Sequence, residues 1–374
     1  MSGTDPARPR VLHTALMSVF EPGIYQQMAW EAEAAAAEGL PWDSRIFTSL
    51  QRPDPAGIMV PWLPSRVEEQ SKALRWVGFR RAYYTWIRQQ AADHDVLLLR
   101  HHAYDPFAAA NMRRIGCTVG SVHHTLDVPE LRTQPNRVKG LALAGAEVRL
   151  GPRNMQAADL LVAVAPEIAA YENARLRTPK PTFLYPNGAL VDTEPVDRRG
   201  GVPELLFASG SFRPWHGLDL LLESLASSDA DFTLHVAGQV DPVLASGCSD
   251  ARVVFHGPLS EGALQELSAR AWIGISSLAL HRYGMAGSPL KVRGYLAQGV
   301  PVYGGHPDVF PATSQVYRVG EPDVSRMLEF AHQMRAVARE TVRGEAARHI
   351  DKRVLVRDLY ASLSTFARET AQVK

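Results

Sequence analysis

Short apolar runs alternate along the chain with longer segments whose apolar residues recur at helical spacing. Residues 11–17 read as a first strand, 24–39 as an Ala-rich helix stopped by Gly39, and 44–48 as a second strand, with residues 18–23 as a turn between strand and helix. The runs at 95–100, 118–122, 160–164 and 182–185 continue the series of strands. Helical patterns lie at 66–90, 141–150 and 154–159, and the Pro-rich stretch 51–64 is expected to be irregular. After a polar stretch at 191–202 the alternation begins again. Strands are expected at 204–208, 232–237, 252–255, 271–278 and 300–303, and helices at 218–225, 288–299, 326–342 and 345–367. Two successive sets of alternating strands and helices predict an α/β chain of two Rossmann-like domains. The expected division is 1–190, 191–350 and a C-terminal helix at 351–374, with the Pro186-Asn187-Gly188 turn as the hinge.

The stretch 281–305, HRYGMAGSPLKVRGYLAQGVPVYGG, is the most informative. It follows a strand, opens with a loop rich in Gly, Ser and Pro, and enters a helix at Ser288-Pro289. Ser is a capping residue type, and Pro suits the first helical position. The helix is expected to run through Lys291, Arg293 and Tyr295 to a stop at Gly299. In an open α/β sheet such a loop lies at the carboxyl ends of the strands, where ligands bind. A helix N-terminus carries free N–H groups and a positive dipole end, which suit a diphosphate. Arg282, Lys291 and Arg293 add positive charge. A nucleotide-diphosphate site and an ordinary βαβ unit with a solvated basic helix both fit these residues.

This stretch resembles the donor-binding segment of the GT-B fold glycosyltransferases, especially the retaining enzymes of family 4, which read S-P-L-K-x-x-E-Y-x-A-x-G-x-P-V. The chain has Ser288, Pro289, Leu290 and Lys291, then Tyr295, Ala297, Gly299, Pro301 and Val302. It departs at both carboxylates of the family's E-x(7)-E motif, where Ala286 and Gly294 stand. A second segment, Gly210 to Gly217, is similar to the family's G-R-x-x-x-x-K-G loop, whose Arg and Lys grip the donor diphosphate. Here Ser211 and His216 occupy those positions, Arg213 lies two residues from Ser211, and Trp215 completes the donor set. Ser211 could hydrogen-bond a phosphate; His216 would be charged only if its pKa rose near the anion.

The resemblance implies two Rossmann-like domains facing across a cleft and a metal-independent, retaining transfer from a nucleotide-diphosphate-sugar. That donor is a co-substrate rather than a cofactor, and its base is not specified. Backbone around Gly257 and Leu259 would hold the base. Lys291, Arg282 and Arg213 would stabilise the departing diphosphate, with Arg293 and Gly294 also in the donor site. His124 matches a family His close to the transferred sugar, and Thr125 stands where an Asp is frequent. Glu21, Gly23, Arg100 and Thr125 fall on the acceptor side, and the acceptor would be a small molecule or glycan, as in natural-product or cell-envelope sugar assembly. The lost carboxylates leave a second reading open: a catalytically degenerate glycosyltransferase-like subunit that binds a partner enzyme.

Composition narrows the partners. Of 374 residues 46% are hydrophobic and 21% charged, and the net charge of +1 gives no argument for a nucleic-acid partner. Two cysteines imply no disulfide framework. No secretory signal and no 18-residue apolar span is seen, so a cytoplasmic protein is expected. Residues 66–90 carry six basic residues against Glu68 and Glu69, which leaves peripheral membrane contact open. His101-His102 and His123-His124 stand at two strand ends. Adjacent strand residues point to opposite faces, so at most one of each pair can face a site, and no zinc-type spacing accompanies them. No metal is expected; Asp229-Ala230-Asp231 reads as a solvated turn.

Overall fold

A computed structural model describes residues 8–66, 71–192 and 194–373. They form two compact α/β units. One runs to Pro186 and takes in the chain again from Lys352; the other is Asn187–Asp351.

The first unit is built on strands β1 (Val11–Met17), β2 (Trp42–Thr48), β3 (Met59–Pro61), β4 (Val96–Arg100), β5 (Thr118–His123), β6 (Leu160–Ala163) and β7 (Thr182–Leu184). They lie in the order β3-β2-β1-β4-β5-β6-β7, with every pairing parallel. Helices cover both faces of such a sheet, so its central strands read as nearly continuous apolar runs. Both β1 and β6 are buried at every position. Strands β1 and β4 pair from Val11↔Val96 to Thr14↔Leu99 and no further. The strand order reverses there, and His102 enters the gap, its Nε2 accepting the Leu16 N–H at 3.2 Å.

Several expectations shift. The Pro-rich stretch contains β3, an edge strand, where a missing proline N–H costs little. The two helical pieces expected near 141–159 are one helix, Arg137–Ala157, with Pro152 inside it and Asn136 capping it. The first helix is Pro22–Ala37, so Gly23 lies in its first turn and not in the turn before it; Gly39 is left-handed (φ 58°) past its end. The basic helix is Lys72–Gln90, and Glu68 and Glu69 lie outside the described residues. Phe79, Tyr83 and Ile87 of its apolar face are core, while Trp76 is partly exposed.

Helix Lys352–Val373 belongs to the first unit, where Tyr360 Oη donates to the Pro9 carbonyl at 3.0 Å and Lys352 Nζ to Gln27 Oε1 at 3.2 Å. Beside it the buried Glu31 carboxylate gathers His13, Trp42, Ser44 and Tyr185. Burial alone would raise its pKa; the hydrogen bonds and the charges of His13 and Lys352 outweigh burial and hold it at about 2.

The second unit repeats the winding. Strands β8 (Glu204–Ser211), β9 (Thr233–Gln239), β10 (Val253–Gly257), β11 (Ile273–Ile275), β12 (Val302–Gly304) and β13 (Tyr317–Val319) lie in the order β10-β9-β8-β11-β12-β13, again with parallel pairings. The reversal falls between β8 and β11, and their carboxyl ends are the expected ligand side. The long helical patterns at 326–367 break into Val324–Arg335, Arg339–Ile350 and the helix from Lys352. Among the described residues no helix is long and apolar enough to cross a membrane.

Candidate functional site

A cavity of about 270 Å³ opens at the carboxyl ends of β8, β9 and β10. Its walls include Gly210, Gly238, Pro258, Leu259, Leu264 and Lys291. Only glycine fits at 238: its φ is 129°, and a Cβ there would sit 1.6 Å from the Ser209 carbonyl oxygen. Gly257 turns the chain with φ 64° just before Pro258 and Leu259. The small residues leave room for a flat ring.

Lys291 closes this cavity. It is the second residue of helix Leu290–Ala297, whose N-cap is Pro289. Its Nζ is shut off from solvent and has no hydrogen-bond partner among the described residues. The nearest features are aromatic: the Phe207 and Phe212 ring centroids lie at 5.0 and 6.0 Å. Burial lowers the Lys291 pKa to about 7, because an ammonium without a counter-charge is costly in apolar surroundings. An anion at this helix start would restore the charge.

The loop after β8 supplies the other wall. Pro214–His216 is a 3-10 turn, ended by Gly217 in the left-handed region. The Leu278 N–H donates to the His216 carbonyl at 2.9 Å, and the Ala279 N–H to the Trp215 carbonyl at 3.2 Å. Loops from both sides of the β8/β11 reversal are thus tied together. His216 is buried, and the Arg213 N–H donates to its Nδ1 at 2.8 Å. The ring proton therefore sits on Nε2, 3.4 Å from Ser209 Oγ. Burial, then the charges of Lys291 and Arg213, depress the His216 pKa to about 3. His216 is therefore a neutral hydrogen-bonding group and not a cation. Arg213 is exposed, and Ser211 ends β8. Arg282 pairs with Asp219 at 3.4 Å, both half-exposed, a geometry that contributes little to stability.

Two expectations for this helix are corrected. Ser288 does not cap it, since no side-chain cap is present. Its Oγ accepts the Asn187 N–H at 3.2 Å, and its carbonyl accepts from Asn187 Nδ2 at 2.7 Å, which pins the loop to the start of the unit. Arg293 does not offer its charge to a ligand. It is fully buried, paired through Nη1 and Nη2 with Asp308, and its Nε donates to the Asn187 carbonyl at 2.8 Å. Gly294, by contrast, has open space where a Cβ would stand. The Asp229-Ala230-Asp231 turn is exposed, and Arg252 bonds the Ala230 carbonyl at 3.1 Å.

In the first unit, Arg100 at the end of β4 is half-buried, and burial lowers its pKa to about 10 against the pull of Asp127, Glu130 and Glu21. His124 follows β5; its Nε2 is buried without a partner among the described residues, and burial, reinforced by Arg100, pushes its pKa far down. Thr125 is half-buried and Glu21 exposed. One histidine of each adjacent pair does converge with the other. His101 and His123 stack at 4.5 Å, and His101 Nε2 lies 3.4 Å from Glu147 and 3.7 Å from Asp127. Ligand-type atoms of His101, His123 and Asp127 come within 4.8 Å of one another. Arg175 bonds both Glu147 and Glu172. Burial raises the Glu172 pKa to about 7 and the Asp127 pKa to about 6. The carboxylates arrive from three helices, so no local spacing announces them.

A second cavity, about 370 Å³, lies in this unit at the β1/β4 reversal. It is lined by Ser18, Ser49, Trp62, Lys72, Arg75, Trp76, Arg80 and His102, among others. The sequence marks Lys72, Arg75 and Arg80 only as basic helix residues, Trp76 and Phe79 as that helix's apolar face and His102 as a strand-end histidine; it does not bring them together around a cavity, and Trp62 sits in the stretch expected to be irregular.

No protein-family model matches the chain, and no curated protein matches it in sequence. Solved structures are similar over nearly its whole length. Anabaena HepE in complex with UDP and glucose is 12% identical, with a TM-score of 0.65 over 95% of this chain and 99% of that one. A glycosyltransferase from Rickettsia africae is 12% identical, with a TM-score of 0.64 over 96% and 98%. Sucrose-phosphate synthase from Thermosynechococcus elongatus is 15% identical, with a TM-score of 0.61 over 98% and 100%. The chain has the GT-B fold of these structures.

Proposed function

We propose that this chain is a retaining glycosyltransferase, moving a sugar from a nucleotide-diphosphate-sugar to an acceptor hydroxyl. The observation that carries the reading is Lys291, a buried amine with no partner among the described residues, at a helix start on the ligand side of the sheet. Structures of Anabaena HepE hold UDP and UDP-glucose. In this reading the base lies against Pro258 and Leu259, and the diphosphate sits at Pro289-Leu290, where free N–H groups and the dipole favour an anion. Lys291 regains its proton there, and Arg213 adds a second charge.

The bond from the anomeric carbon to the diphosphate oxygen breaks, and the acceptor oxygen bonds that carbon on the same face. The hydroxyl proton passes to the departing diphosphate. No protein nucleophile is assigned. Lys291, Arg213 and the helix start stabilise the developing charge, so turnover is expected to survive excess EDTA. His124, neutral and with Nε2 unpartnered among the described residues, is assigned to a substrate hydroxyl. With Gly294 and Ala286 in place of carboxylates, the donor lacks charge-assisted hydrogen bonds worth about 1.5–3 kcal/mol each.

A thermal-shift panel of UDP, GDP, ADP, dTDP and CDP tests the reading. A nucleoside diphosphate at a hundred times its Kd stabilises by about 2.7 kcal/mol, and one of the five should do so. If none stabilises at millimolar concentration, the reading falls in favour of a non-catalytic subunit.

A further inference from the structure

The cavity at the β1/β4 reversal has chemistry of its own. Lys72 and Arg75 stand in the first turn of a 19-residue helix that has no acidic residue there. That is the positive end of the helix dipole, where cations are disfavoured and anions favoured. Both side chains are exposed, and neither has a carboxylate partner among the described residues. Arg80, one side of the cavity, is buried and bonds Asp105 through Nη1 at 3.0 Å, which matches its charge. Its Nε is a buried donor without a partner among the described residues. Among the described residues no Asp or Glu lines the cavity. His102 accepts at Nε2 from Leu16, so its proton is on Nδ1 and it too can donate. Among the described residues, donors and unmatched positive charge therefore surround the space.

Its remaining surface is aromatic. Trp62 packs on Phe79 with ring centroids 5.1 Å apart, and Arg80 Cζ lies 4.6 Å over the Trp76 ring, which orients that indole. Leu63 and Leu74 are exposed nearby in sequence. Indole faces hold planar rings and the apolar faces of sugars.

We propose that this cavity binds an anionic, ring-bearing small molecule, its carboxylate or phosphate held by Lys72 and Arg75 and its ring lying against Trp62 and Trp76. That molecule is the acceptor of the transfer proposed above, and on that point alone the inference rests on that reading. The anion removes the unfavourable encounter of two cations with a helix N-terminus.

The test is calorimetry on the full chain with matched probes: 4-hydroxybenzoate against 4-hydroxybenzyl alcohol, and glucuronate and glucose 6-phosphate against glucose. At low salt at least one anionic probe should bind at least about tenfold more tightly than its neutral counterpart, the worth of a charge-assisted contact. The preference should shrink with salt, since the cations are exposed, and should vanish in a Lys72→Ala/Arg75→Ala double variant. Trp76→Ala should weaken charged and neutral members of a pair alike. The arm that responds tells an aromatic carboxylate from a uronate or a sugar phosphate. Equal binding within every pair, no anionic binding, or a preference that survives the double variant would overturn the proposal. Nucleoside diphosphate binding is measured on the same proteins and should be untouched by the double variant. Loss of the probe result with intact diphosphate binding sinks only this inference; the reverse sinks the transfer reading and leaves the cavity as a binding site.

Discussion

Arg293 and Asp308 form a buried ion pair inside the second unit, with Arg293 Nη2 donating to Asp308 Oδ1 at 2.8 Å and neither side chain more than 1% exposed. The helix that presents Lys291 is thereby fixed to the segment after β12 and, through Arg293 Nε, to the Asn187 carbonyl. Removing one partner of such a pair strands a charge in the interior. Asp308→Ala should therefore cost about 3–5 kcal/mol, read as a lowered denaturation midpoint. A cost below about 1 kcal/mol, the scale of an exposed pair, would show that Arg293 finds water or another partner.

Gly294 lies on the same helix with open space at its Cβ position. Gly294→Glu should be accommodated and should stabilise the ligand-free protein by up to about 1 kcal/mol, because glycine is a poor helix former. It should also tighten nucleoside diphosphate binding by up to about 2 kcal/mol, one charge-assisted hydrogen bond, with a smaller gain for a deoxyribose nucleotide. Tighter folding with weaker binding would instead mean that the space is shaped for a different donor.

Glu172 gives a pH signature. Its ion pair with Arg175 pulls its pKa down, but burial outweighs the pair and leaves it raised to about 7. The folded protein then holds a proton that the unfolded chain gives up near the ordinary glutamate value of 4.5. Stability from this group is full below that value and is lost as pH rises to about 7, with a slope of at most about 1.4 kcal/mol per pH unit. Glu172→Gln carries no such proton. The stability of the variant relative to the unsubstituted protein should rise between pH 5 and pH 7, measured by denaturant melts. A constant difference across that range would place the raised pKa elsewhere in the His101–Asp127–Glu147 cluster.

The two windings of strands and helices were legible because parallel strands are apolar at nearly every position and helices are not. Gly39 as a helix stop was legible for a local reason, its left-handed backbone. What the pattern could not carry was pairing between distant residues. Ser288 has the residue type of a cap, yet it is taken by Asn187, a hundred and one positions earlier. Arg293 reads as a basic helix residue until Asp308 is brought against it. Lys291 is the reverse case: the motif marks the position, but only the fold shows its amine buried against Phe207 and Phe212 without a hydrogen-bond partner among the described residues. His101 and His123 converge as strand alternation permits, while their carboxylates come from helices whose packing no spacing encodes. The aromatic cavity was missed because Trp62 lay in a Pro-rich stretch and Trp76 on a helix face that read as core.

Whether Lys291 holds a diphosphate is read by calorimetry of the best nucleoside diphosphate at pH 8 in two buffers of different ionisation enthalpy. The free amine has a pKa of about 7 and is mostly neutral at pH 8, so an anion that restores its charge must draw a proton from the buffer. Uptake should approach one proton per ligand, and Lys291→Met should lose that uptake together with at least about a tenfold rise in Kd. Binding without proton uptake, or an affinity unchanged in Lys291→Met, would contradict it.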